Sequence, residues 1–497
     1  MNQVRADPME LATQKPDEVE ERPRQAVVIV HGMGEQRPLD TLTEFIGAAL
    51  EADGRGRRLF YSRPDQVVDS YESRRFLAPA AFNQFGELRA QTEFFEYHWA
   101  HLMQDNRLDD LWPAFRRMLL APPWYVPAGL RVLWSIFWGL IVAAIVLFLW
   151  VGPDLQFDLN EISLGDVIAA LVGGGLTALV LTYIITRWLP SWITSSFVDV
   201  VRYLDTSPRS YAVRRDIRAG IVELLKGLEA DGRYQRIIIV AHSLGSYIAY
   251  DAISFLWGQK AKLHGGPIRP NVDEPEQGDQ PDGLPELEAA ASALTSSSDV
   301  GAFQRAQRQL WLGIRADGNP WLITDFLTFG SPMYMADRIY TRNRRQFDER
   351  VLRRELPTCP PQPELNPHNN VNGQALWFSW NNRGKRVLDH AAPFAVVRWT
   401  NMWFPARFRF FGDWFGGPLR PLFGNGIRDV PLRNNGWKSR IPAYAHALYY
   451  HFQRVEWTGS VTLRLRDAMD LASTAWLEPT LDAPEPDPRS GRRPGVV

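Results

Sequence analysis

The chain has 497 residues, with 55 Lys plus Arg against 56 Asp plus Glu and a formal net charge of −1. That length suits two or more domains, or one domain with large insertions, and the balanced charge leaves no basic footprint for nucleic acid. The single cysteine, Cys359, excludes an internal disulfide framework and any metal site built on two thiolates.

Residues 1–24 carry charge and Pro but no apolar run. A disordered amino-terminal arm without a secretory signal is expected there. Residues 26–30 (AVVIV) form a short continuous apolar run, the pattern of a buried parallel strand. His31-Gly32-Met33-Gly34 follows directly. Glycines in such a turn let backbone N–H groups point inward without a Cβ clash, and an H-G-x-G turn after an early strand supplies one oxyanion-hole donor in lipases and esterases. The Met33 N–H is the candidate donor, with His31, Gly32 and Gly34 beside the substrate. Apolar residues at Leu42, Phe45, Ile46, Ala49 and Leu50 mark one face of a helix. Residues 91–100 (QTEFFEYHWA) read as another strand.

Two segments then depart from globular patterning. Residues 132–152 and 167–186 contain no charge; at 1.5 Å per residue they reach about 31 and about 30 Å, enough to cross a hydrocarbon core. A pair of buried core helices is the competing reading, but soluble helices of this length normally keep a polar face. Trp134, Trp138 and Trp150 accompany the first run, and Trp188 and Trp192 follow the second, as interfacial aromatics do. Gly139 and Ala143, and Ala169 and Gly173, have the four-residue spacing that allows close helix approach. The connecting loop holds Asp154, Asp158, Glu161 and Asp166 without Lys or Arg, whereas Arg116, Arg117, Arg131, Arg187 and Arg202 lie outside the runs. The positive-inside rule therefore expects a membrane hairpin with both large arms in the cytoplasm. Residues 111–131 mix Trp, Tyr, Leu, Arg and Pro, suiting either the headgroup region or the surface of the globular part.

Beyond the hairpin, residues 213–228 read as an amphipathic helix leading into a strand at 236–240 (RIIIV). Ala241-His242-Ser243-Leu244-Gly245 comes next, then a helix-like run, SYIAYDAISFLW. This is the nucleophile elbow G-x-S-x-G with Ala in first place. A serine on a strained strand-to-helix turn needs small neighbours two away on either side. The turn lifts the hydroxyl above the sheet edge and aims the Leu244 N–H at a developing oxyanion. Residues 264–283 are an acidic Pro/Gly insertion expected to be mobile, and 357–373 a second loop-rich one. Strands are expected at 325–329 and 395–400. Phe329-Gly330-Ser331-Pro332 reads as a structural turn beside the pocket, and 477–497 as a disordered tail. Strands interleaved with helices imply an α/β fold, a mostly parallel sheet with helices on both faces, interrupted by a two-helix transmembrane hairpin.

HGMG and AHSLG together resemble the α/β-hydrolase superfamily, in particular membrane-associated serine esterase/lipase-like members that pair an HGxGEQ-type turn (31–36) with a VAHSLG elbow (240–245). The resemblance covers residues 25–100 and about 196–453 and leaves the hairpin as an insertion. It implies a serine nucleophile followed in chain order by an acid and a histidine. Ser243 is then the nucleophile, with His242 beside it at the substrate. The stretch 445–450 resembles the family's AHxxYW segment and makes His446 the base, with His451 in reserve, over His368 and His390. Gly412-Asp413-Trp414-Phe415-Gly416-Gly417 is similar to the acid-bearing segment, so Asp413 is the acid and Asp429 the alternative. The boundaries that follow are 25–110 and 196–476 for the hydrolase domain and 111–195 for the juxtamembrane segment and hairpin. The resemblance implies no metal and no organic cofactor. It implies a serine hydrolase of carboxylic esters; the two uncharged runs add an anchor in the inner or plasma membrane bilayer, and that location favours a lipid or acyl ester as substrate. A catalytically inactive scaffold and an acyltransferase using the same residues are the alternatives.

Overall fold

The computed structural model describes residues 24–32, 40–50, 61–64, 74–78, 91–103, 208–265, 280–341, 343–363, 378–382, 385–406 and 412–432, together with positions 122, 123, 126, 131, 134, 135, 138, 139, 142, 203, 445, 446 and 449. Its organising element is an eight-stranded sheet. The first four strands in the chain are β1 (Arg24–Val30), β2 (Tyr61–Pro64), β3 (Arg74–Ala78) and β4 (Gln91–Tyr97). They are followed by β5 (Arg236–His242) and β6 (Ile323–Phe329). A separate antiparallel pair, β7 (Ser379–Asn382) and β8 (Lys385–Leu388), precedes β9 (Arg398–Trp403) and β10 (Arg428–Pro431). Across the main sheet the order is β10-β9-β6-β5-β1-β4-β3-β2. The six strands from β10 to β4 run parallel, and β3 turns antiparallel at the edge.

The continuous apolar runs follow from burial on both faces. In β1, Ala26, Val28 and Val30 enter one core and Val27 and Ile29 the other; in β5, Ile237 and Ile239 oppose Ile238 and Val240 in the same way. The helix α1 (Asp40–Leu50) covers one face through Leu42, Phe45 and Ile46. The other face is covered by α2 (Pro208–Asp231) and α3 (Gly245–Gln259), and by α4 (Leu284–Ser292) and α5 (Gly301–Ala316). This is an α/β architecture.

Polar residues gather where β1, β5, β6 and β9 begin. Arg236 is fully buried, and its Nε donates to Gln25 Oε1 at 2.8 Å. Asp325 accepts from Arg398 Nε at 2.6 Å and from Thr324 Oγ1 at 2.8 Å, and Gln25 Nε2 donates to Thr92 Oγ1 at 2.8 Å. These directional bonds pin the strand register at the end opposite the elbow.

Several elements differ from their sequence reading. β1 begins at Arg24, inside the expected amino-terminal arm, in register with Gln91. The expected strand 91–100 ends at Tyr97, and Ala100–Met103 turns into a 3₁₀ helix. The expected strand 395–400 starts only at Arg398, because Pro393–Ala395 forms a 3₁₀ turn first. The insertion 264–283 is tied down at both ends. His264 is buried and stacks on Trp257 with ring centroids 3.4 Å apart, and Gly283 opens α4 at φ +85°. The second insertion is also packed where described, with Thr358 and Cys359 buried.

The expected span 167–186 lies outside the described residues, as does most of 132–152; among the described residues no helix is long and apolar enough to cross a membrane. The arm before Arg24 and the tail 477–497 also lie outside them. Beyond the second run, Tyr203 is buried, its hydroxyl donating to Asp251 Oδ2 on α3 at 2.9 Å, and Arg218 Nε of α2 reaches the same oxygen at 2.9 Å.

Candidate active site

The sheet order reverses beside β1: β4 lies on one side of it and β5 on the other. In open parallel sheets the crevice beyond the strand carboxyl ends at such a point is where ligands bind. Both singled-out motifs end there, His31-Gly32 after β1 and Ser243 after β5.

Ser243 has φ +52°, a left-handed conformation that costs a non-glycine residue about 1–3 kcal/mol and needs surrounding structure to hold it. Its N–H donates to Phe329 O of β6 at 3.0 Å, and its carbonyl accepts from Ser246 N–H at 3.0 Å. Close approach of β1 supplies the rest. A Cβ on Gly245 would stand 2.7 Å from His31 O and nearer still to Val30 O. A Cβ on Gly32 would meet His242 Nδ1 at 2.7 Å and Ser243 Cβ at 3.0 Å. Glycine at 245 is therefore a packing requirement between α3 and β1. Leu244 caps α3, and its carbonyl accepts from Tyr247 N–H at 2.9 Å, so the helix starts directly at the serine turn and its positive dipole end lies there.

The structure brings Ser243, His446 and Asp413 into one hydrogen-bonded line. His446 Nε2 lies 2.9 Å from Ser243 Oγ, and Nδ1 lies 3.0 Å from Asp413 Oδ1 and 3.1 Å from Oδ2. Asp413 also accepts from Phe415 N–H at 2.7 Å and from the Tyr449 hydroxyl at 2.7 Å. A carboxylate surrounded by donors acts as acceptor only, so Nδ1 carries the imidazole proton and Nε2 offers its lone pair to the serine O–H. All three residues are buried.

Two further contacts hold the base. His446 O accepts from His242 Nε2–H at 3.0 Å, which ties the residue before the nucleophile to the backbone of the base. The Phe415 ring lies 5.1 Å from the His446 ring.

The remaining candidates fall into four groups. Asp429 does not approach His446. Its carboxylate accepts from Asn401 Nδ2 at 2.7 Å, Leu419 N–H at 3.0 Å and Arg420 N–H at 2.9 Å, and burial raises its pKa. This alternative acid organises the turn between β9 and β10. His31 and His242, expected beside the substrate, both make contacts that hold neighbouring backbone. His31 is fully buried with both ring nitrogens engaged. Nδ1–H donates to Gly32 O at 2.7 Å, and Nε2 accepts from Trp99 N–H at 3.3 Å. Burial pushes its pKa down to about 3, so the ring is neutral. His390 is exposed beside Asp389 at 3.3 Å. Met33, Gly34, His368 and His451 lie outside the described residues.

Three residues at the site were not assigned a role from sequence. Tyr449, three positions after His446, donates to Asp413 and accepts from Phe404 N–H at 3.0 Å. Burial raises its phenol pKa well above the usual value, which keeps the proton available for donation. Gly330 and Gly416 flank the acid: a Cβ on either would stand 2.9 Å and 2.5 Å from Asp413 Oδ2 respectively. The signal for Tyr449 was its place in AHALYY; the two glycines gave only turn signals. Ser331, by contrast, accepts from Met333 N–H at 3.3 Å and caps a 3₁₀ turn. Among the described residues no group of three His, Cys, Asp or Glu side chains is placed to hold a metal ion.

No protein-family model matches the chain, and no curated protein or solved structure does.

Proposed function

We propose that the chain is a membrane-anchored serine hydrolase of carboxylic esters, an α/β-hydrolase whose two-helix hairpin is inserted between β4 and α2. The observation that carries this reading is the line from Ser243 Oγ to His446 Nε2 at 2.9 Å and from Nδ1 to Asp413 at 3.0 Å, standing on a turn with φ +52° at the end of β5. Nucleophile, base and orienting acid in mutual contact are the machinery of acyl transfer.

In the first half-reaction Ser243 Oγ attacks the ester carbonyl carbon while His446 Nε2 takes the serine proton. Asp413 holds the imidazole in the tautomer that makes this possible and stabilises the imidazolium that forms. As the tetrahedral intermediate collapses, the carbon–oxygen bond to the leaving group breaks and Nε2–H delivers its proton to the alcohol. Water then attacks the acyl-serine by the same route in reverse, releasing the acid and restoring the Ser243 hydroxyl. The Leu244 N–H at the start of α3 and the Met33 N–H are the proposed oxyanion donors, each worth on the order of 3 kcal/mol of barrier. The anchor rests on the two uncharged runs, on their tryptophan and arginine flanks, and on the acidic loop between them.

Exposure of the protein to a fluorophosphonate probe tests the reading. One adduct on Ser243, abolished by Ser243→Ala, is expected; labelling that persists in the variant contradicts it. Product analysis with an added acceptor alcohol separates hydrolysis from acyl transfer.

A further inference from the structure

We infer that Tyr449 is a fourth member of the catalytic line, a positioning residue that donates its phenolic hydrogen to Asp413 and so sets how strongly the His446–Asp413 pair holds a proton; this rests on the hydrolase reading above. The inference starts from the charge balance of the acid. Asp413 is 1% exposed, and an ionised carboxylate taken out of water needs donors or a cation. Among the described residues no Lys or Arg pairs with it, and its ionic partner is His446. Donors carry the negative charge instead. Phe415 N–H reaches Oδ1 at 2.7 Å, His446 Nδ1–H is shared between both oxygens, and the Tyr449 hydroxyl reaches Oδ2 at 2.7 Å. The first belongs to the acid's own turn and the second to the base. Tyr449 is the side chain added to them.

The direction of that hydrogen is fixed. The Tyr449 oxygen accepts from Phe404 N–H at 3.0 Å, which leaves its own O–H for Asp413. Phe404 O in turn accepts from Asp413 N–H at 3.1 Å. The three residues thus close a ring of hydrogen bonds that grips the acid by main chain and carboxylate together. The phenol ring is walled in. Phe404 stacks on it with centroids 4.9 Å apart, Phe329 meets it edge-on at 6.1 Å, and a Cβ on Gly330 would stand 2.5 Å from Cε2. Burial raises the phenol pKa well above its usual value, so the hydrogen stays on the oxygen. His446 and Tyr449 are three apart, the spacing that puts two side chains on one face of a helical turn. One short segment therefore delivers both the base and the donor that restrains its acid. The other titratable rings nearby are His242 of the elbow, centred 5.0 Å from His446 and 5.4 Å from Tyr449, and Tyr334 after β6, whose hydroxyl donates to Trp414 O at 2.5 Å. Neither bonds to the carboxylate. A donor on the charged form of an acid lowers its proton affinity. Without the Tyr449 hydroxyl the carboxylate attracts a proton more strongly, so the coupled pair takes one up at higher pH wherever that proton resides. Oδ2 also loses the bond that fixes its place against Nδ1.

The test uses the full chain in detergent micelles with a p-nitrophenyl ester and compares it with Tyr449→Phe, which removes only the hydroxyl. At the pH optimum kcat is expected to fall about tenfold with KM changed less than about twofold. The acid limb of the kcat/KM profile is expected to move to higher pH by about one unit, a change of about tenfold in proton affinity. A residue that only fills space would lower stability or kcat without moving that limb. A second probe removes no atom. 3-Fluorotyrosine, whose phenol is the stronger acid and the better donor, is incorporated throughout the chain with and without Tyr449→Phe. The limb is expected to move to lower pH where Tyr449 is present and to stay in place where it is not. Fluorophosphonate labelling of Ser243 reports whether each protein is folded and competent. A limb that stays in place under either probe, or that fluorotyrosine moves equally in both backgrounds, overturns this inference alone; unaltered protein that never labels overturns the hydrolase reading beneath it.

Discussion

Replacing Gly330 by alanine isolates the contact that seats the acid. Gly330 has φ +52°, so any side chain there costs about 1–2 kcal/mol of backbone energy before it touches anything. The new methyl would stand 2.5 Å from Tyr449 Cε2 and 2.9 Å from Asp413 Oδ2. Ordinary carbon contacts begin near 3.5 Å, so ring and carboxylate must retreat by roughly 0.5–1 Å. The retreat has little room, because Gly416 closes on Oδ2 from another side. The carboxylate is displaced from His446 Nδ1, which it meets at 3.0 and 3.1 Å. A misplacement near 1 Å costs about 100-fold in rate. Gly330→Ala should therefore lose roughly 30- to 100-fold in kcat on a p-nitrophenyl ester, with KM changed far less, and a similar factor in the rate of fluorophosphonate labelling. Gly232→Ala is the control. Its φ is +73° and nothing lies within 4 Å of the added methyl, so it has the same kind of backbone cost without the clash. If the Gly330 variant labels as fast as the Gly232 variant, the glycine does not position the acid and the reasoning fails.

The two candidate carboxylates separate by what each loses. Asp413→Asn should cut kcat by about 10⁴-fold because the wrong imidazole tautomer is held. Asp429→Ala should leave labelling of Ser243 in place and lower stability by about 2–4 kcal/mol, through the stranded donors of Asn401, Leu419 and Arg420; urea unfolding and labelling rate together check both. Acid sensitivity follows from His31 and His264, whose pKa values burial pushes down from 6.5 to about 3 in the folded chain. The unfolded chain binds these protons first, so stability is full above about pH 6.5 and falls as pH drops toward 3. Each histidine contributes a slope of about 1.4 kcal/mol per pH unit within that window. Urea midpoints followed by tryptophan fluorescence should fall between pH 7 and pH 5; a constant midpoint contradicts the burial of these rings.

Where the sequence was legible, the reason is local. AVVIV and RIIIV show β1 and β5 because strands covered on both faces need no polar alternation. AHSLG marked the elbow because the turn admits only small residues beside β1. Residues 395–397 misled because hydrophobicity reports burial and not conformation: Ala395, Val396 and Val397 are all buried, yet β9 begins only at Arg398. The edge strands β2 (YSRP) and β10 (RDVP), and β3 (RRFLA) beside β2, have only four or five residues with charged or polar positions among them, and their patterns do not stand out from loops. At the site, Asp413 was marked by its own turn, but Gly330 and Gly416 act on it only through contacts made by folding. The contacts of His31 with Gly32 and Trp99 were not legible, because a histidine beside such a turn looks the same in sequence whichever partners its nitrogens take.

The most direct measurement is a pre-steady-state burst with a chromogenic ester, the acyl group being located afterwards by peptide mass spectrometry. One equivalent of leaving group per chain is predicted, with the acyl mass on Ser243 and both signals collapsing in His446→Ala. Absence of a burst in protein that still turns over the ester, an acyl group on another residue, or a burst undiminished without His446 would contradict the account.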